Sequence, residues 1–239
     1  HKNKLGLPLH RSGAEGEAMA DLKELIQHKF SSEPFTGNGT LQALSQKGIQ
    51  LFRELGIPTV KNEEWKYTRI AGVLNKNFTY AVDATAVTAA DVDALRLPGY
   101  ENANELVFVN GIYHAELSTI RSGTDELEVI PLSEAVKGAY KAVVDNHLGH
   151  SARYHTDGIN AMSNAFAYQG LFVAVKKNKN LQHPLYCYYI NDARNASVLS
   201  QPRTLIHVGV NAELFLVEEE ITLGTNDSFI NRVSEVVVE

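Results

Sequence analysis

Apolar residues recur at three- and four-residue steps in the first part of the chain and at two-residue steps or in short unbroken runs in the last part, so the pattern predicts helices first and strands last. Leu22, Leu25 and Ile26, between Met19 and about Phe30, predict a short amphipathic helix. A loop over Ser31 to Asn38 precedes a second helix of about four turns, starting at Gly39 or Thr40 and stopping at Gly56 and Pro58. Its apolar stripe is Leu41, Leu44, Leu51, Phe52 and Leu55. A third helix is predicted from Asn62 as N-cap, with Glu63 and Glu64 in the first turn and Trp65, Ile70, Val73 and Leu74 facing inward. Further on, NFTYAV (77–82) reads as a strand, and Thr88 with Asp91 as a capping box opening a helix to Leu95. LVFVNGIYHAEL (106–117) reads as a hairpin, because Asn110-Gly111 accepts the positive φ angles of a type I′ turn. LEVIPL (127–132) is a strand, and Ser133 caps a helix with Val136, Tyr140, Val143 and Val144 inside.

After Gln169 the period changes. LFVAVKK, PLYCYYIND, RTLIHVGV, AELFLVEEEI, SFINRV and EVVVE are rich in branched and aromatic residues and separated by Asn, Asp, Gly and Pro, with no helical stretch between them. Several are apolar in both phases, as strands covered on both faces are. The steps from Leu185 to Leu205 and from Leu214 to Val236 suggest a coil of roughly 20 residues, within the range of stacked β-solenoids, although a sandwich fits such loose spacing too. The fold expectation is an α+β domain over 19–168, then an all-β region over 169–239. Residues 1–18, polar and without apolar period, read as an expression leader or as a native, mobile N-terminus. The closing run VVVE predicts a strand that another part of the polypeptide, or a partner, would cover.

Composition narrows the function classes. With 239 residues, 44% hydrophobic and 21% charged, the chain has enough material for one large domain or two ordinary ones. No apolar run approaches the roughly 18 residues that span a bilayer, and no basic-then-apolar signal precedes residue 30, so a cytoplasmic protein without membrane contact is expected. A net charge of −6 speaks against nucleic acid as a partner. The single cysteine, Cys187, forbids an internal disulfide and a self-sufficient iron–sulfur or four-thiolate zinc site.

Candidate chemistry is sparse. His147, His150 and His155 in NHLGHSARYH offer imidazoles for Zn²⁺, but at no recognised ligand spacing, and an exposed connection is the plainer reading. Cys187 in LYCYYI is a nucleophile only with a depressed pKa; a buried apolar role fits an aromatic strand better. In Glu218-Glu219-Glu220 only the first and third share a strand face, and a solvated turn edge is the expectation. Trp65 and Tyr67 form either a recognition patch or, for Trp65, a core anchor. No P-loop, dinucleotide fingerprint or nucleophile elbow occurs, so no catalytic residue and no metal ligand is assigned, and cofactor-binding residues stay unassigned.

ELGIPTVKNEEWKYTRI (54–70) resembles the N-terminal motif of the SufD branch of the SufB/SufD family of iron–sulfur cluster assembly proteins. LVFVNGIYHAELS with EVIPLSEA, NAFAYQGLFVAVKKN, and QPRTLIHVGVNAELFLVEE with INRVSEVVVE are similar to that family's later segments in the same order, over most of 41–239. The resemblance implies an α+β N-terminal domain followed by a right-handed parallel β-helix, and a non-catalytic scaffold of the SufBCD-type complex. Such a scaffold pairs with SufB through the β-helix and works with the SufC ATPase, the Fe–S cluster being assembled at the level of the complex and no cofactor bound by this chain alone. Since the resemblance stops within the β-helix, a C-terminally truncated chain is expected. The rival readings are a β-solenoid enzyme acting on polysaccharide, which needs carboxylates in register on successive coils, and a homodimeric interaction module.

Overall fold

Local side-chain chemistry starts several helices where the sequence predicts them. A computed structural model describes residues 21–37, 39–80, 86–150 and 156–239; the leader read over 1–18, with Met19, lies outside the described residues. Helix α1 (Leu22–Ser32) is capped by Asp21, whose Oδ1 accepts from the Glu24 N–H at 2.9 Å. Helix α2 (Gly39–Leu55) ends before Gly56, which adopts the left-handed φ of +64° that suits glycine. Helix α4 (Ala89–Leu95) carries the full capping box, Asp91 N–H to Thr88 Oγ1 and Thr88 N–H to Asp91 Oδ2.

Two predicted helices are divided. Around Trp65 only one 3₁₀ turn forms (Glu63–Trp65), and helix α3 waits until Ile70–Leu74. Asn62 cannot cap, because its Oδ1 accepts from the Thr59 N–H in a preceding turn, and Arg69, with ψ of 62°, breaks the path onward. Ser133 likewise caps nothing. Helix α5 (Leu132–Ala135) starts two residues earlier than a Ser133 cap would set, where the Leu132 N–H is pinned to the Gly170 carbonyl, and the chain resumes helix only at α6 (Lys141–His147), beyond the poor helix former Gly138. The segment 77–82 contributes a single bridge, Thr79 to Val198, and residues 81–82 lie outside the described residues. Helix α7 (Gly158–Ala165), capped by Asp157, was not foreseen.

The strands are β1 (Asn104–Val109), β2 (Ile112–Tyr113), β3 (Leu127–Pro131), β4 (Leu171–Val175), β5 (Leu185–Asp192), β6 (Val198–Ser200), β7 (Arg203–Val208), β8 (Leu216–Leu223), β9 (Ser228–Ile230) and β10 (Val233–Val238). The β1–β2 hairpin turns on Asn110 and Gly111, with φ of 47° and 88°. Three sheets result, in the orders β2-β1-β5-β8, β10-β7-β4-β3 and β6-β9. The hairpin pair and β3–β4 are antiparallel; every other pairing of named strands is parallel. Leu171 pairs with Thr204, Leu185 with Leu216, Val198 with Ser228 and Arg203 with Val233, separations of 33, 31, 30 and 30 residues. The roughly 20-residue step expected from the sequence does not match these separations: Leu185 lies in the first sheet and Leu205 in the second, and Leu214 precedes β8 while Val236 lies in β10.

The two four-stranded sheets face each other over a core of Leu106, Phe108, Val173, Leu185, Cys187, Tyr189 and Ile206. Strands β1, β4, β5 and β7 are buried along almost their whole length because their outer faces are covered as well. Leu41 of α2, Leu132 of α5 and Val144 of α6 pack on Phe172, Ala174 and Leu205, and Val92 of α4 packs with Val107, Tyr188 and Ile190. Among the described residues no helix is long and apolar enough to cross a membrane.

On one rim of the second sheet Lys176 Nζ bonds Glu128 Oε2 and the Tyr140 hydroxyl, each at 2.6 Å, and Tyr140 donates to Glu128 at 2.7 Å. The Lys176 bond, then the Tyr140 bond, hold the Glu128 carboxyl below its ordinary value of 4.5, and the Glu128 bond, then that of Tyr140, raise Lys176 above 10.5. A depressed carboxyl contributes stability that is complete above its unfolded value and lost as pH falls through the folded one; a raised amine contributes stability lost as pH climbs through its folded value. The triad's contribution to the urea midpoint is expected to be flat between about pH 5 and 10 and to fall on both sides, and Glu128→Gln should make both limbs of the measured profile shallower. A pH profile of Glu128→Gln identical to that of the unsubstituted chain would remove this triad from the pH dependence.

Candidate functional site

β8, β9 and β10 are each the last strand of their ladders, so each has one flank of backbone N–H and C=O groups with no ladder partner. Such a flank is a template for another strand. On β10 the Val233 and Glu239 N–H groups donate to Pro202 and Val208, which leaves the alternate amides of Ser234, Val236 and Val238 on the open flank.

Towards this end the filling between the two large sheets turns from apolar to charged. Register places Glu218 beneath Cys187 and Glu220 beneath Tyr189, on the core side of the strand. Arg232 lies between the carboxylates, Nη1 at 2.7 Å from Glu218 Oε2 and Nε at 2.9 Å from Glu220 Oε1, its guanidinium 5.1 Å from the Tyr189 ring centre. The Tyr189 hydroxyl donates to Glu218 Oε1 at 2.9 Å, and Ser234 Oγ to the same oxygen at 3.0 Å. Beside this network Val236 and Val238, aligned with core residues Ile206 and Val208, are 52% and 72% exposed. Burial opposes the charge on Arg232, but the Glu220 bond and the Glu218 charge outweigh it and raise its pKa. Burial, then the charges of Cys187 and Glu218, push the Tyr189 hydroxyl far up. The Cys187 thiol is pushed up to about 12, by burial first and Glu218 second. The buried thiol therefore lacks the depressed pKa that activates a cysteine nucleophile.

On the outer face of the same end, Arg203 is buried to 1% side-chain exposure. Its Nη2 bonds Glu235 Oε2 at 2.9 Å and its Nη1 bonds Asn164 Oδ1 at 2.7 Å; Glu235 also accepts from the Gly149 N–H at 3.0 Å. Above Glu235 a groove of about 420 Å³ is lined by His147, His150 and Val236 to Val238.

The residues singled out in the sequence are scattered. His147 and His150 share the groove, His155 lies outside the described residues, and among the described residues no group of His, Cys, Asp and Glu is arranged to hold a metal ion. Glu218 and Glu220 do share a face, but inside β8 and tied to Arg232, not at a solvated turn, because the strand runs on to Leu223. Trp65 is half-buried against the helical core, and Tyr67 is 91% exposed. Arg203, Arg232 and Glu235 were missed. The legible signal for Arg203 was a cation at an inward phase of an otherwise apolar strand; the partner of Arg232 depends on a pairing between sheets that spacing does not encode.

Residues 23–187 match the family model for the SufBD protein N-terminal region. The chain is also similar to an iron–sulfur cluster assembly SufBD family protein of Synechocystis sp., 25% identical over 205 residues that cover 80% of this chain and 43% of that protein. A second relative is the iron–sulfur cluster assembly protein SufD of Escherichia coli, 25% identical over 194 residues that cover 80% and 42% respectively. The chain spans about two fifths of the length of these curated relatives.

Proposed function

Because the chain belongs to the SufBD family, we propose that it serves iron–sulfur cluster assembly as a non-catalytic scaffold of the SufD type, whose stacked strands are the first coils of a right-handed parallel β-helix. The observation that carries this reading is the set of parallel pairings offset by 30 to 33 residues in three sheets, which a chain winding through three faces per coil produces. In this reading the change near residue 169 marks where coiling begins, with β1 and β3 of the preceding region closing the first layer. The protein works in the cytoplasm, pairs through its β-helix with a SufB-type subunit and cooperates with a SufC-type ATPase. Iron and sulfide are cargo handled between subunits, which suits a chain whose one cysteine is buried and neutral. Rigid strands at fixed spacing present side chains to a neighbour in a set register, and nucleotide binding by the ATPase biases the assembly only where its open and closed arrangements differ in contacts.

Co-expression of the full-length protein with SufB-type and SufC-type subunits of the same organism tests this. A tagged copy is expected to retain both partners through size exclusion. A stable homodimer that retains neither partner overturns the proposal.

A further inference from the structure

Exposed apolar residues also fall close together in a second stretch of the chain, around the end of α2 and the turn that follows it. Of the nine large apolar side chains most exposed among the described residues, Leu55, Val60, Tyr67 and Val73 fall within 19 residues around the 3₁₀ turn Glu63–Trp65. The same segment holds a pocket of about 210 Å³ between the end of α2, the turn and the start of α7. Its walls are Leu55, Pro58 and Trp65, its charged lining is Glu63, Glu64 and Asp157, and no cation lines it among the described residues.

These carboxylates are not consumed by the fold. Asp157 spends one oxygen on the α7 cap, Glu63 has only a long 3.7 Å contact with Lys66, and Glu64 has no ionic partner among the described residues. The volume lies below the roughly 300 Å³ at which pockets begin to take drug-sized molecules, so the pocket suits one long side chain rather than a cofactor. An indole wall with carboxylates at the mouth is the chemistry that receives an alkyl-ammonium or guanidinium group.

We infer that this pocket receives a lysine or arginine side chain from an extended segment of another protein, whose flanking apolar residues rest on Leu55 and the exposed apolar side chains nearby. The occupant is fixed by charge complementarity, since each charged side chain of the lining among the described residues is a carboxylate. The inference is independent of the scaffold reading, because its test measures peptide binding and not cluster assembly.

The chain has one tryptophan, so the emission of Trp65 reports on the pocket directly. The full chain is titrated with the capped peptide Ala-Leu-Lys-Leu-Ala and with versions carrying norleucine or glutamate in place of lysine. The lysine peptide is expected to shift the emission saturably, with norleucine binding about fivefold more weakly and glutamate not at all. The double variant Glu63→Gln/Glu64→Gln should bind the lysine peptide about five- to tenfold more weakly with an unchanged thermal melt. No saturable shift with the lysine peptide, or equal binding of all three peptides, overturns the inference. So does an emission that shifts with protein concentration alone, which would give the pocket to a second copy of this chain.

Discussion

Replacing Glu235 by alanine is expected to lower the stability of the chain by about 3 to 5 kcal/mol, because it strands the Arg203 guanidinium in a site almost without water. The pair spans the β7–β10 ladder, and the same carboxylate holds the Gly149 N–H, so the loss also loosens the turn after α6. The size of the effect comes from desolvation and not from the strength of one contact. Asn164 Oδ1 can share the charge but cannot neutralise it. The control is a double variant, Arg203→Met with Glu235→Leu. Removing both charges while keeping their bulk should recover most of the loss, since apolar residues of similar volume commonly replace a buried pair without penalty. Equilibrium urea unfolding of the three variants measures this. A Glu235→Ala midpoint within error of the unsubstituted chain would mean that Arg203 reaches water, which its burial forbids.

Gly48→Val is the second large effect. Helices α2 and α7 cross so closely there that a Cβ at position 48 would sit 2.5 Å from the Ala165 amide nitrogen and 2.8 Å from the Asn164 carbonyl carbon. Those are backbone atoms and cannot swing aside, so the helices must part. The neighbouring bond from Ser45 Oγ to the Ala165 carbonyl, 2.6 Å and buried, would be lost with the contact. Overpacking of this kind costs about 3 kcal/mol at its upper range, and the strain reaches Arg203, because Asn164 on the same turn is its hydrogen-bond partner. Loss of α2–α7 protection in hydrogen exchange, with the midpoint lowered, is the expected result. A variant as stable as the parent would show that α7 can slide without cost.

Much of this fold is local and therefore legible in sequence. Asp91 three residues after Thr88 specifies a capping box, and Asn110-Gly111 between apolar runs specifies a two-residue hairpin, with no information needed from elsewhere. The failures share one cause. Asn62 and Ser133 are good caps by type, but a turn to Thr59 had already taken one, and the pinning of Leu132 to Gly170 displaced the other. The expected 20-residue step failed because the 30- to 33-residue spacing is set by which strands pair, and β6, only three residues long and buried by its surroundings, left no periodic trace. The candidate site was half visible: the shared face of Glu218 and Glu220 follows from alternation, whereas Arg232 between them and Arg203 behind β10 depend on how separate ladders are superposed.

Residue-resolved hydrogen exchange on the full-length protein, bound to its SufB-type and SufC-type partners, addresses the open strand flanks most directly. The amides of Ser234, Val236 and Val238 alternate away from β7, so nothing within residues 21–239 that the structure describes protects them. If further coils or a partner complete the stack, these three amides exchange as slowly as those of Glu235 and Val237. If they exchange at the rate of a solvated edge while their neighbours stay protected, the ladder ends at β10 and the scaffold account fails.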